Sequence, residues 1–269
     1  MSPPTSPTKR VVILGALSAI AMATARIYAG EKASLILVAR NADRLKQAAD
    51  DLRARGAVKV EVIDLDLDAA SSQAPALLRD WSSRMGGIDH VLAFYGYLGD
   101  QTKASSDISE LQRILSVNFT SAALWCSSAA EILRTQRRGS VVAITSVAGD
   151  RGRQSNFAYG AAKGGLSIFV QGLAHSLAPV GARAVSMKLG FVDTPMTDGM
   201  NKQGALWAKP AHVAIAIRRA ADKGRPDPVC ADDLEIHHAG HPDRTLLHLS
   251  QDEALAFQSG FFGISDLTS

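Results

Sequence analysis

The sequence predicts an α/β fold: a doubly wound parallel sheet of about seven strands flanked by helices. Three observations predict it. Short apolar runs, each long enough for a strand buried on both faces, recur along the chain. Between them lie alanine-rich or amphipathic stretches bounded by helix caps and glycine stops. A length of 269 residues with 46% apolar and 20% charged content suits one soluble domain with a sizeable core.

In chain order, VVILG (11–15) is an apolar run closed by glycine and reads as the first strand. Residues 18–29 form a helix with Ser18 as its cap. SLILVAR (34–40) is the second strand, and 41–56 a helix with an Asn start and a Gly stop. VKVEVIDLD (58–66) is the third strand, a helix follows near 74–85, and IDHVLAFYG (88–96) is the fourth strand. One long helical stretch covers about 107–136, and GSVVAITS (139–146) is the fifth strand. Residues 155–179 form a long helix ended by proline, ARAVSMKLG (182–190) is the sixth strand, and 209–224 is a helix. A seventh strand near 227–231 falls where the composition breaks. Strands alternating with helices in this way argue for parallel pairing.

The net charge of +3 is unevenly placed. Residues 227–269 hold eight acids and one Arg, a balance of −7, against +10 for the other residues. Such a break marks a boundary. We therefore expect a flexible tail at 1–9, a domain at 10–226 and an atypical acidic tail at 227–269. The basic residues are spread along the body without aromatic interleaving, which argues against nucleic acid as a partner. The two cysteines, Cys126 and Cys230, lack metal or disulfide spacing, so a reducing cytoplasm is the default compartment. No run of about 18 apolar residues offers a membrane span. His237, His238, His241 and His248 cluster in the acidic tail, but their spacing does not build a zinc site, and no metal is expected.

The first βα turn, LGALSAIA (14–21), would place Gly15, Leu17, Ser18, Ala19 and Ile20 at a helix N-terminus. There backbone amides and the helix dipole can receive a dinucleotide phosphate, although an ordinary turn would read the same way. At the end of the second strand no acid stands ready for both ribose hydroxyls. Arg40, followed by Asn41, can instead pair with a 2′-phosphate, or lie solvated on the surface. This favours NADP(H) over NAD(H). The strongest signal is Tyr159-x-x-x-Lys163 on one helix face, with Ser146 at the end of the preceding strand. A lysine ammonium favours a phenolate, the phenol can give its proton to a carbonyl oxygen, and a serine hydroxyl can hold that oxygen.

These residues resemble the short-chain dehydrogenase/reductase family, over roughly 10–226. The resemblance rests on the glycine turn, TSVAG (145–149), YGAAK (159–163) and LGFVDTPM (189–196). It implies a Rossmann-type fold and reversible hydride transfer, with Ser146, Tyr159, Lys163 and Asn118 as the catalytic set. Asn118 would hold a water linked to the lysine. Gly190, Val192 and Thr194 would meet the nicotinamide, Tyr95 and Gly96 would line the cofactor, and Asp66 or Asp64 would lie near the adenine. A homodimer or homotetramer through the helices near 107–136 and 155–179 is also implied. Two departures stand out: Ala19 and Ala21 replace glycines of the phosphate turn, and AFYG (93–96) replaces an Asn-Ala-Gly motif that braces the central strands.

YLGD (97–100) and SVAGDRGRQSNFAYGAAKGGL (146–166) narrow the likeness to a subgroup similar to decaprenylphosphoryl 2-keto-pentose reductase. That implies a small-molecule or lipid-linked keto-sugar substrate. Arg151 and Arg153 could meet its phosphate, or could be surface arginines. The subgroup's tail is apolar and basic, with patterns like W-x-x-I-M-x-V-I-R and I-F-x-K. Permitted codons for 230–255, read one base later, give ARTTWKSIMLVIRTVPSSIFHKTKL, which has that pattern. The expectation is a single-base frameshift near 226–230, which would take away an attachment to the membrane surface.

Overall fold

The structure, a computed structural model, describes residues 8–198 and 207–224. Strand β1 (Arg10–Leu14) leads through a tight turn to α1 (Ala19–Gly30). Then come β2 (Ser34–Ala39), α2 (Ala42–Ala54), β3 (Lys59–Asp64), α3 (Ala74–Met85) and β4 (His90–Ala93). The chain continues with α4 (Gln101–Ala104), α5 (Ile108–Leu115), α6 (Ser121–Gln136) and β5 (Ser140–Ser146). It closes with α7 (Phe157–Leu177), β6 (Arg183–Leu189) and α8 (Pro210–Lys223).

Among the described residues the sheet has six parallel strands in the order β3-β2-β1-β4-β5-β6. The seventh strand expected near 227–231 lies outside the described residues, as do the four tail histidines and the shifted-frame region. The order turns back between β1 and β4, so the carboxyl ends of β1, β4 and β5 open a crevice at a switch point. Leu14 is in register with Ala93, and Ala93 with Ala143, which brings Gly15, Phe94 and Ile144 to one rim.

Alternation along each strand feeds two cores. Val11, Ile13, Leu35 and Leu37 face α1, α2 and α8. Val12, Leu14, Ile36 and Val38 face α3, α6 and α7. Burial on both faces is why these strands read as unbroken apolar runs. Trp81 and Trp125 stack at 5.6 Å and pin α3 to α6. At the foot of the sheet Arg10 pairs with Asp89 at 2.8 Å, and Arg218 of α8 with Glu31 at 2.7 Å.

Two elements differ from the sequence reading. The fourth strand stops at Ala93, because the last ladder bond, Phe94 N–H to Leu14 O, is followed by a loop reaching across the rim. The helical stretch 107–136 is divided by a π turn, Ser116–Thr120. There the Asn118 side-chain amide donates to the Ile114 carbonyl at 2.9 Å, the acceptor that the Asn118 N–H would take in an α-helix.

Candidate active site

Ser146 ends β5, and the loop after it packs backbone against backbone on α7. A Cβ on Gly160 would lie 2.6 Å from the Ala148 carbonyl oxygen, and one on Gly164 2.7 Å from that of Gly149. The glycines of YGAAKGG thus let the serine loop and the Tyr159 helix come this close. Burial pushes the Tyr159 phenol up to about 12, and a hydrogen bond with Ser146 works against that rise. The phenol therefore carries its proton at neutral pH.

Lys163 lies one helical turn on and is 3% exposed. Its ammonium donates to the Ile144 carbonyl at 3.0 Å and stands 5.9 Å from the centre of the Tyr159 ring. Burial pushes it down to about 8. One of its three N–H groups is spent on Ile144, which leaves the others to point at a ligand. The carbonyl of Ile144 is a partner that no side-chain pattern could announce.

Asn118 is fully buried in the π turn. Its Nδ2 donates to the Tyr97 and Ile114 carbonyls, at 2.6 and 2.9 Å, and its Oδ1 accepts the Tyr97 N–H at 3.0 Å. Gly96 lies between Asn118 and Lys163: a Cβ there would sit 2.9 Å from Asn118 Oδ1 and 3.5 Å from Lys163 Nζ. The glycine keeps open the space that joins the two. Tyr97 is a partner that sequence reasoning misses, although it opens the YLGD motif.

The first turn is the candidate dinucleotide end. Gly15 has φ +79, and a Cβ there would meet the Tyr95 backbone nitrogen at 2.6 Å. Ser18 caps α1 by accepting the Ala21 N–H at 3.1 Å, as its position predicts. The backbone amides of Leu17, Ala19 and Ile20 find no acceptor among the described residues, and all three residues stay partly exposed. A phosphate fits such a helix N-terminus. Ala19 and Ala21 take their places in α1 with Ala21 buried against the core.

Arg40 follows β2, its side chain 73% exposed and 3.4 Å from the Asp66 carboxylate. Asn41 adopts φ 93 and caps α2 by accepting the Arg44 N–H at 3.0 Å. The two acids separate in role. Asp64 accepts the Asn41 backbone N–H at 3.0 Å, whereas Asp66 faces Arg40 and accepts the Asp68 N–H at 2.9 Å. On the other side of the crevice Gly190 follows β6, Val192 bridges to Ala208, and Thr194 opens a short turn whose backbone is held by Thr197.

Where the Asn-Ala-Gly motif would brace the strands, Tyr95 does so by another route. Its phenol hydrogen-bonds Ser121 at 2.9 Å, and Ser121 donates to the Leu67 carbonyl, also at 2.9 Å. Trp125 Nε1 donates to the same carbonyl at 2.8 Å. The segment after Asp66 is thereby tied to the central strands.

Comparison with known proteins bears on the family and the fold. The short chain dehydrogenase family matches residues 9–205. An uncharacterized oxidoreductase of Mycobacterium tuberculosis is 37% identical over 215 residues, 80% of this chain and 85% of the relative. One from Streptomyces coelicolor is 35% identical over 223 residues, 81% of this chain and 85% of that one. A short-chain type dehydrogenase/reductase from Mycobacterium marinum shares the fold, with a TM-score of 0.73 at 24% identity over 81% of this chain and 90% of that one. With its parallel sheet, its rim of Ser146, Tyr159 and Lys163 and these relatives, the chain belongs to the short chain dehydrogenase family of oxidoreductases, which bind a nicotinamide cofactor.

Proposed function

We propose that the chain transfers hydride between NADP(H) and a carbonyl/alcohol pair. The observation that carries this reading is the convergence of Ser146, Tyr159, Lys163 and Asn118 at the switch-point crevice. When bound, the reduced cofactor supplies the hydride that reaches the carbonyl carbon. Ser146 hydrogen-bonds the carbonyl oxygen and orients it. Tyr159, held protonated by burial, gives its proton to that oxygen as negative charge develops there. The Lys163 ammonium stabilises the phenolate left behind. The same groups run in reverse for alcohol oxidation. The unmatched amides of Leu17, Ala19 and Ile20 would hold the phosphates, and the exposed fork of Arg40 a 2′-phosphate.

For the substrate we infer a 2-keto sugar on a polyprenyl phosphate. Supporting it are Arg151 and Arg153, which follow the serine loop; the nearest acid in the chain, Asp150, pairs instead with Lys188. We also place the chain in the cytoplasm as a homodimer or homotetramer through α6 and α7, whose Leu124 and Ile168 are exposed. NADPH consumption with a panel of ketones and polyprenyl-phosphoryl ketosugars tests the reading. Tyr159→Phe is expected to lower kcat by about 100-fold or more. NADPH binding without turnover on any carbonyl would instead mark a non-catalytic dinucleotide-binding protein. Good reduction of simple ketones with none of the lipid-linked sugar would remove the substrate assignment alone.

A further inference from the structure

We propose that Gln101 is a positioning residue for Tyr159, holding the first turn of α7 by capping it from outside the helix. The helix that carries the phenol does not cap itself. Asn156, at its cap position, makes no side-chain bond to the helix amides, and its Oδ1 is buried without a partner among the described residues. The amide of Ala158, next to Tyr159 in the chain, donates instead to Gln101 Oε1 at 2.8 Å. An amide in the first turn has no acceptor within its own helix, so an outside acceptor fixes where that turn sits.

Gln101 can do this because it is itself held. It begins α4, which Asp100 caps by accepting the Lys103 N–H at 3.1 Å. The Asp100 N–H donates to the buried carboxylate of Glu110 at 3.0 Å, and the Tyr97 phenol donates to the same oxygen at 2.8 Å. The Arg113 guanidinium covers the Tyr97 ring at 4.2 Å. The Tyr97 backbone is bonded in both directions to Asn118. A continuous path therefore runs from Asn118 through Tyr97, Glu110, Asp100 and Gln101 to the turn that bears Tyr159. Ala104, Ile114 and Ala158 pack beneath it, with Tyr97 and Tyr159 against them. The segment 97–101 acts as a strap that sets the two ends of the catalytic set relative to each other.

This inference rests on the reading that Tyr159 moves the proton. The test uses the full chain with Gln101→Leu, which removes the acceptor, and Gln101→Glu, which restores one that the helix N-terminus favours. Gln101→Leu is expected to lower kcat about tenfold while NADPH affinity stays within about twofold. The solvent deuterium isotope effect on kcat should grow as proton transfer becomes slower. Gln101→Glu should recover most of kcat. In the cofactor-free chain, amide exchange over 157–160 should quicken in Gln101→Leu and stay slow in Gln101→Glu. Unchanged kcat in Gln101→Leu, a Gln101→Glu no better than Gln101→Leu, or NADPH binding that falls in step with kcat would each overturn the proposal. Full turnover by Tyr159→Phe overturns the reading beneath it. An inactive Tyr159→Phe beside an unaltered Gln101→Leu overturns only the role of Gln101.

Discussion

The Tyr95 phenol and the Ser121 hydroxyl lie 2.9 Å apart, and through that bond the end of β4 is tied to the segment beside Asp66. Tyr95 also lies under Gly15, whose missing Cβ makes room for it. One side chain therefore touches both the Gly15 turn and, through Ser121, the segment after Asp66. Burial holds the phenol far above its ordinary range, so it remains a donor at any working pH.

Removing either end of that bond should cost stability unequally. Tyr95→Phe takes away a donor and leaves Ser121 bonded to Leu67. Ser121→Ala leaves the buried phenol without a partner, a cost of about 1–3 kcal/mol. Chemical denaturation should rank Ser121→Ala as the more damaging change, and the double variant should lose less than the two single losses added together. Additive losses would show that the two groups act independently. Both variants should raise the KM for NADPH more than they lower kcat.

Arg40 decides the choice of cofactor in our reading. It is exposed, and its only ion-pair partner among the described residues is Asp66 at a long 3.4 Å, so little holds it back from a phosphate. Arg40→Ala should raise the KM for NADPH by about 10–100-fold, the worth of a charge-assisted pair, with little change for NADH. Equal losses with both cofactors would assign Arg40 to general folding or binding rather than to the 2′-phosphate.

Lys163 couples function to stability with opposite signs. Burial lowers it from 10.5 to about 8, so the folded chain gives up this proton before the unfolded chain does. Between these values the unfolded state binds more protons, and the contribution of Lys163 to stability rises with pH. Below pH 8 the cost of a buried ammonium is present in full. Lys163→Met should therefore abolish turnover yet raise Tm at pH 7 by at least roughly 2–4 °C. That advantage should shrink as pH climbs from 8 towards 10.5. A variant less stable than the parent at pH 7 would show that the bond to Ile144 outweighs the desolvation cost.

Much of the fold and half of the site are legible in one dimension. Apolar runs place five of the six strands to within two residues at each end: burial on both faces makes β1 and β2 almost wholly apolar, while the edge strand β3 and β6 keep an apolar pattern broken by Lys59, Glu61, Asp64, Arg183 and Lys188. They make the fourth strand too long, since Phe94 still packs into the core and Tyr95 braces Ser121 although the strand itself stops at Ala93. The grouping of Ser146, Tyr159 and Lys163 is legible because it rests on side-chain types and on a spacing along one strand end and one helix face that survives in the sequence. The Ile144 carbonyl and the Ala158 amide are not, because every residue has such groups and only folding selects among them. Gln101 is hidden for the same reason: its partner is a backbone atom 57 residues away.

The acidic run from Asp227 onward carries a charge of −7, which an anionic membrane surface repels. Read one base later, permitted codons for 230–255 encode an apolar segment with Arg and Lys and no acid, the composition of a segment that rests on such a surface. The present tail should therefore leave the catalytic set intact but free the chain from the membrane surface. The gene's own codons are the first check: they must yield ARTTWKSIMLVIRTVPSSIFHKTKL or a close variant in the next frame, and any other reading ends the idea. The second check is co-sedimentation with anionic phospholipid vesicles. The chain with the restored frame should bind them, with binding weakened by salt, while the present chain stays in solution. Equal binding by both would show that the tail does not govern attachment to the membrane.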